Sequence, residues 1–186
     1  MSRKYKIRDQ NKLYFVTFTV INWIDIFIRD EYRNVFLDSV GYCQKNKGLE
    51  VYAWCIMTSH IHMILGSKGE NKLEDIIRDL KSFTSRSIRK LIENKEKVGE
   101  SRREWISKMM RQAGLNNGNN KDFQFWQQHN HPIELSTNFL LDQKLEYIHK
   151  NPVEAGFVES PEMWFYSSAK DYYGKGKGAI DILFIQ

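Results

Sequence analysis

The chain has 186 residues, of which 41% are hydrophobic and 27% charged, and it carries a formal net charge of +5 with a pI of about 9.1. This length and composition are typical of one globular domain with a buried core, and no run of about 18 apolar residues predicts a membrane span. The positive charge favours an anionic partner, of which nucleic acid is the commonest for a basic protein.

The N-terminus and the cysteines indicate where the protein works. The first twelve residues, MSRKYKIRDQNK, are charged and polar and lack the pattern of a signal peptide. The two cysteines, Cys43 and Cys55, lie in apolar segments and have no metal-ligand spacing. We therefore expect a cytoplasmic protein in which both cysteines are reduced and pack in the core.

The first half of the chain predicts three strands and two helices. KLYFVTFTVI (12–21) is rich in aromatic and β-branched residues, which is typical of a buried strand. Apolar residues at helical spacing follow, up to a glycine at position 48 that can end the helix. LEVYAWCIM (49–57) and HIHMIL (60–65) predict a hairpin, and a long helix follows it. Asn71 is the predicted N-cap of that helix, with Glu74 in position for a capping box.

The second half of the chain predicts mainly helices, with two more strands. Its predicted elements are a helix over 100–115, a strand at FQFWQ (123–127), a helix over 138–152 that Pro152 ends, a helical turn at SSAKDYYG (167–174) and a strand at AIDILFI (179–185). A central hairpin with helices between the other strands indicates an α+β fold. The expected architecture is a ferredoxin-like antiparallel β-sheet with helices packed mainly on one face.

Two histidines interrupt the apolar pattern of the third strand. Alternation places His60 and His62 on one face and Ile61, Met63 and Leu65 on the other, which can face the core. An i, i+2 pair of imidazoles brings two nitrogens near one point and can bind one divalent ion. The alternative is that both histidines are half-exposed and make only local hydrogen bonds.

The late helix presents a phenol between two amides. Gln143, Tyr147 and Asn151 are four residues apart and share one helix face. Asn151 falls at the predicted helix end, where its side-chain oxygen can turn towards a metal. A phenol beside a metal site suits nucleophilic attack on phosphorus. The alternative for Tyr147 is packing, because the chain has nine tyrosines.

These two features together resemble a known family. HIH on a strand, followed about 85 residues later by YIHKNPVEAGFV on a helix, is similar to the single-tyrosine HUH transposases. More narrowly, the chain resembles the branch that includes the REP-associated tyrosine transposases. The similarity extends to YFVTFTV, AWCIMTSHIHMIL, IIRDLKSFTSRSI and FWQQHNHPIEL, and covers roughly residues 10–158. Residues 1–158 are therefore predicted to be an HUH transposase-like catalytic domain, with 159–186 as a C-terminal extension packed on it.

The resemblance implies a reaction and roles for four residues. The resemblance implies that His60 and His62 are metal ligands, that Asn151 completes the coordination and that Tyr147 is the nucleophile. The expected ion is Mg²⁺ or Mn²⁺. The expected substrate is single-stranded DNA, often next to a DNA hairpin, and cleavage leaves a 5′-phosphotyrosine and a free 3′-hydroxyl. The family includes both monomers and homodimers.

A DNA-binding enzyme needs a contact surface as well as a site. The predicted long helix carries basic and hydroxyl side chains beside its apolar stripe, and these can contact phosphates. The predicted DNA contacts are Arg78, Lys81, Ser82, Ser85 and Arg89. The alternative is an ordinary solvated helix face.

Other readings remain open from the sequence. QHNHP holds a second histidine pair, His129 and His131. A zinc site formed by all four histidines is an alternative, although the loop context favours a local structural role. His149 is expected to pack rather than to act in catalysis. The alternative functions are a non-catalytic single-stranded nucleic-acid-binding protein and a metal-dependent nuclease.

Overall fold

The computed structural model describes residues 7–118, 120 and 122–185, which form an antiparallel sheet covered by helices on both faces. The strands run in the order β2-β3-β1-β4, and every neighbouring pair is antiparallel. The elements are β1 Tyr14–Thr19, α1 Asp30–Lys47, β2 Leu49–Ile56, β3 His60–Ser67, α2 Leu73–Glu93, α3 Arg103–Leu115, β4 Ile133–Glu134, α4 Asn138–Glu154 and α5 Ala169–Tyr172. This arrangement confirms the predicted α+β fold.

The two faces of the sheet pack against different helices. Ile61, Met63 and Leu65 of β3 point into the larger core, which α1 and α2 close. Phe15 and Ile64 point to the opposite face, where they meet Ile148 of α4 in a second, smaller core. The predicted alternation of β3 is therefore confirmed, and the histidines of β3 share their face with the residues that pack on α4.

Tight turns and side-chain contacts delimit the first two long helices. Gly48 ends α1 with φ +72°, and a Cβ there would lie 1.8 Å from the carbonyl oxygen of Lys68, so only glycine fits. The predicted cap of α2 is wrong, because the Asn71 amide donates to the Lys47 carbonyl instead. The side chain of Gln10 accepts from the Leu73 N–H at 2.8 Å and so satisfies the first turn of α2.

Two predicted strands are not strands in the structure. Within FQFWQ, Trp126 makes an isolated bridge with Val20, and the Gln127 N–H donates to the Thr19 carbonyl, but no ladder forms. Within AIDILFI, Leu183 donates one backbone hydrogen bond to Val51 of β2. Burial of Phe125 and Trp126 accounts for the aromatic pattern of FQFWQ, whereas in AIDILFI only Ile180 is buried and Leu183 and Phe184 are exposed. The fourth strand is instead the two-residue β4, which directly follows Pro132.

The late helix is longer than predicted. Pro152 lies inside α4, and the helix continues to Glu154 before Gly156 adopts φ +74°. A proline so close to the helix end removes only one backbone hydrogen bond, and its buried ring packs within the fold. The helical turn predicted at SSAKDYYG is confirmed as α5. No helix among the described residues is both long and apolar enough to cross a membrane.

Candidate active site

The candidate site lies on the sheet face that packs against α4. β3 is a central strand, and its register places Thr17 of β1 opposite His62 and Thr19 opposite His60. His62 is buried, with 4% of its surface exposed, and His60 is half-buried. The centres of the two imidazole rings are 4.7 Å apart, so the structure brings the predicted pair together.

Hydrogen bonds hold one nitrogen of each imidazole. The Thr17 hydroxyl lies 2.9 Å from Nδ1 of His62, and the Ser59 hydroxyl lies 3.2 Å from Nδ1 of His60. Such contacts orient metal-binding histidines and leave the second nitrogen for the ion. In both residues that second nitrogen is Nε2.

The environment keeps both imidazoles neutral near pH 7. Burial, followed by the nearby His60 and Lys144, lowers the pKa of His62 to about 3. Burial also lowers the pKa of His60. A metal ligand must be the neutral imidazole, so these two side chains are already in the ligand form.

Tyr147 approaches the histidines from α4. Its hydroxyl lies 3.5 Å from Nε2 of His62, the nitrogen that Thr17 leaves available. The Tyr147 ring is 5.1 Å from the His62 ring and 6.0 Å from the ring of Phe15, and 39% of the residue is exposed. A phenol oxygen, two imidazoles and solvent therefore meet at one place.

Lys144 adds a positive charge that the sequence did not identify as part of the site. Its amine lies 5.0 Å from the ring centre of Phe15 and 5.6 Å from that of Tyr147. Lys144 precedes Tyr147 by three residues, so helical spacing was the available signal. An ammonium here favours the binding of a phosphate.

The donor set fits a divalent cation with open coordination positions. Asn151 is half-buried one turn beyond Tyr147, inside α4 rather than at its end as predicted. In the part of the chain that the structure describes, no group of three or more His, Cys, Asp or Glu side chains could hold a metal. His60 and His62 would therefore need neutral oxygen ligands such as the Asn151 amide, and positions would remain for a phosphate oxygen.

The second histidine pair does not join the first. The ring centres of residues 129 and 131 are 6.0 Å apart, and among the described residues no four histidines are grouped closely enough to hold a zinc ion. His129 instead lines a groove beside α2. These two histidines thus lie apart from the candidate metal ligands.

Four of the five predicted DNA contacts, all except Arg89, line a groove between α2 and the segment 123–129. The groove has a volume of about 600 Å³. Arg78 is paired with Asp75, and Arg89 is paired with Asp122 and Glu93. The groove is lined by Arg78, Lys81, Ser82, Ser85, Arg86, Asn120 and residues 123–129.

Lys81 has a structural contact in this groove. Its amine donates to the carbonyl of Gln127 and to the side chain of Asn130, both at 2.7 Å. Burial lowers the pKa of Lys81 to about 8. Arg86, which the sequence prediction omitted, is exposed, and among the described residues it has no ion-pair partner.

His149 faces away from the site, as expected for a packing residue. It is buried, and its Nε2 lies 2.9 Å from the hydroxyl of Ser168, which also contacts the backbone of Trp54 in β2. Burial lowers the pKa of His149 to about 4. The residue therefore links α4 to the C-terminal segment and to the sheet.

Acid should destabilise the fold through this buried histidine. Below pH 6.5 the unfolded chain binds a proton at His149, while the folded chain stays neutral there until about pH 4. The free energy of unfolding therefore decreases as the pH falls below 6.5, and at pH 4.5 it is lower by about 2 to 3 kcal/mol. Urea unfolding at pH 7 and pH 4.5 measures this loss. It should be smaller in His149→Gln, which keeps a donor for Ser168; an equal loss in both proteins would contradict the assignment.

Comparisons with known proteins identify a family and a similar fold. A family model described as "Transposase IS200 like" matches residues 11–110, which include both site histidines and end before α4. A solved structure of a REP-associated tyrosine transposase bound to a REP hairpin superposes with a TM-score of 0.67 at 16% identity, over 100% of this chain and 96% of that one.

A second solved structure is a putative transposase from Deinococcus radiodurans R1, with a TM-score of 0.42 at 16% identity over 80% of this chain and 94% of that one. At these identities, the first likeness concerns the fold alone. No curated protein matches the sequence significantly.

Proposed function

The chain belongs to the IS200-like transposase family and is a transposase, and on this premise we propose that it cuts and rejoins single-stranded DNA with Tyr147 as the nucleophile. The proposal includes Mg²⁺ or Mn²⁺ held by His60 and His62, with Asn151 as a further ligand. One observation carries it: the Tyr147 hydroxyl lies 3.5 Å from the free nitrogen of His62.

The chain's own residues prepare the reaction. Thr17 and Ser59 fix the imidazoles, and Lys144 places a positive charge beside the phenol. A bound divalent cation would draw charge from the phosphate oxygens. The partial exposure of Tyr147 leaves room for a DNA strand and a route for the phenol proton to reach solvent.

Cleavage then exchanges one phosphate ester for another. The Tyr147 oxygen bonds to phosphorus, the bond from phosphorus to the 3′ oxygen breaks, and that oxygen takes up a proton. The product is a 5′-phosphotyrosine and a free 3′-hydroxyl. Attack by the 3′-hydroxyl of another strand restores the phenol and joins the DNA, and no external energy source is needed. The contact between His62 and Tyr147 within one chain supports a monomer as the active form.

The proposed substrate is a single strand next to a DNA hairpin. Two observations support an extended DNA contact: the net charge of +5 and the groove along α2 that contains Ser82, Ser85 and Arg86. Arg86 is the best-placed phosphate contact, because the charges of Arg78 and Arg89 are already balanced by carboxylates. A direct DNA contact by Lys81 would require its present hydrogen bonds to break.

Arg86→Ala should weaken DNA binding in a salt-dependent way. The slope of log affinity against log salt concentration is negative, and loss of one phosphate contact reduces its magnitude by about 0.7 for a single strand. Arg89→Ala is the matched control and should change the slope little, because Glu93 and Asp122 neutralise Arg89. Fluorescence anisotropy across a series of salt concentrations measures both slopes. Equal slopes for wild type and Arg86→Ala would show that Arg86 does not contact a DNA phosphate.

The test of the proposed function is a search for a covalent adduct. The protein is incubated with Mn²⁺ and end-labelled single-stranded DNA carrying a hairpin from the repeats that flank the gene, and then denatured on a gel. A labelled protein–DNA band supports the proposal. Cleavage without an adduct would overturn it in favour of a hydrolytic nuclease, and binding without cleavage would favour a non-catalytic DNA-binding protein.

A further inference from the structure

The backbone immediately after β1 is strained at two consecutive residues. Asn22 has φ +55° and Trp23 has φ +56°, and neither is glycine. Asparagine tolerates this left-handed region, but for a bulky side chain such as tryptophan it is an outlier that costs free energy. Such strain persists only where the surrounding structure imposes it, and it concentrates at functional sites.

Neighbouring segments impose this conformation through the main chain. The Val20 N–H donates to the Ser59 carbonyl, and the Ile21 N–H donates to the Phe125 carbonyl. The Trp23 N–H then donates back to the Val20 carbonyl at 3.0 Å. The strained turn is therefore held against the β2–β3 turn, from which His60 begins the next strand.

The result of this strain is an exposed indole beside the candidate metal ligand. The ring centres of Trp23 and His60 are 5.3 Å apart, with the ring planes at 72°. Trp23 is nevertheless 59% exposed, so burial of the ring does not explain why the turn tolerates its strain. A large, flat apolar surface instead faces solvent at the edge of the site.

We propose that Trp23 stacks on a base of the DNA strand next to the scissile phosphate and so positions that phosphate at His60, His62 and Tyr147. The inference rests on the proposed function. Successive nucleotides are separated by about 3.4 Å in a stacked strand, so a base on Trp23 belongs to the nucleotide next to a phosphate at His60 or to the one beyond. Aromatic stacking tolerates any base, because every base has a flat π-face.

DNA binding by three variants tests the proposal. Dissociation constants are measured by anisotropy in a Tyr147→Phe background, so that the single strand is not consumed. Trp23→Ala should weaken binding by about 5-fold to 100-fold, and Trp23→Phe should retain most of the affinity. Trp23→Gly fits φ +56° without strain, so it keeps the fold and should lose as much affinity as Trp23→Ala.

Trp105→Ala is the matched control. Trp105 is a comparably exposed tryptophan, 50% exposed on α3, and its removal should leave the affinity unchanged. Equal affinity of wild type and Trp23→Gly would overturn the proposal. So would an equal loss of affinity in Trp105→Ala, because the effect would then not be specific to Trp23.

Abasic DNA separates stacking from a merely structural role. A series of single strands, each lacking one base near the cleavage position, should contain one member that weakens wild-type binding as much as Trp23→Ala does. With that strand, Trp23→Ala should cause no further loss. Additive losses at every position would overturn the stacking contact. This outcome is distinct from failure of the proposed function, which would appear as wild-type protein that forms no covalent adduct.

Discussion

Tyr147→Phe should abolish the covalent protein–DNA adduct and slow strand cleavage by at least about 1,000-fold, or about 4 kcal/mol in the activation free energy. The substitution removes the one atom that would bond to phosphorus. It should leave the fold intact, because among the described residues the Tyr147 hydroxyl makes a single long contact, at 3.5 Å, and the ring packing on Phe15 is kept. Denaturing gels over a time course measure both the adduct and the cleaved strand.

Tyr42→Phe is the matched control for that result. Tyr42 is an exposed tyrosine of α1, on the sheet face opposite to α4, so its variant should form the adduct at the wild-type rate. DNA binding by Tyr147→Phe should also remain, because the groove along α2 is untouched. Cleavage by Tyr147→Phe at the wild-type rate would exclude the tyrosine mechanism and favour a hydrolytic nuclease.

The parts of the site that follow local periodicity were predictable from the sequence. Strand alternation placed His60 and His62 on one face and Ile61 in the core, and the structure has both. Helical spacing placed Asn151 one turn beyond Tyr147, and both lie in α4. In each case the deciding residues are at most four apart, so one element fixes their relative position.

The parts that depend on distant pairing were not predictable. Thr17 contacts His62 only because β1 pairs with β3 in one register, and a shift by one residue would turn its hydroxyl to the other face. Trp23 reaches the site because the preceding residues make backbone hydrogen bonds to Ser59 and Phe125 and because the chain then adopts a left-handed turn, which no sequence pattern predicts. These contacts join segments more than 30 residues apart.

Wrong strand predictions have a related cause. Phe123 and Phe125 alternate with Gln124, yet Gln124, Phe125 and Trp126 are all buried. The Gln124 N–H donates to the Met110 carbonyl in α3 instead of to a neighbouring strand. Trp126 also donates from its indole to the hydroxyl of Thr84 in α2. The aromatic residues indicated burial of this segment correctly, but the backbone pairing that defines a strand depends on partners outside the segment.

His60→Ala should remove metal binding and reduce cleavage by at least about 100-fold at a Mn²⁺ concentration that saturates the wild type. His60 is only half-buried, so its truncation leaves the core intact. A ligand present at 100 times its dissociation constant stabilises the folded state by about 2.7 kcal/mol. Mn²⁺ should therefore raise the melting temperature of the wild type by about 5 to 10 °C and that of His60→Ala hardly at all.

Two further variants separate ligation from non-specific effects. His129→Ala removes an imidazole outside the site, so it should keep the full shift in melting temperature with Mn²⁺. Thr17→Val preserves shape but removes the hydroxyl that holds Nδ1 of His62, so Mn²⁺ affinity should fall by about 10-fold to 100-fold. If His60→Ala kept the shift and His129→Ala lost it, the metal would belong to the other histidine pair. Cleavage would then have to proceed without an ion at His62, and the neutral imidazoles beside Tyr147 would need a different role.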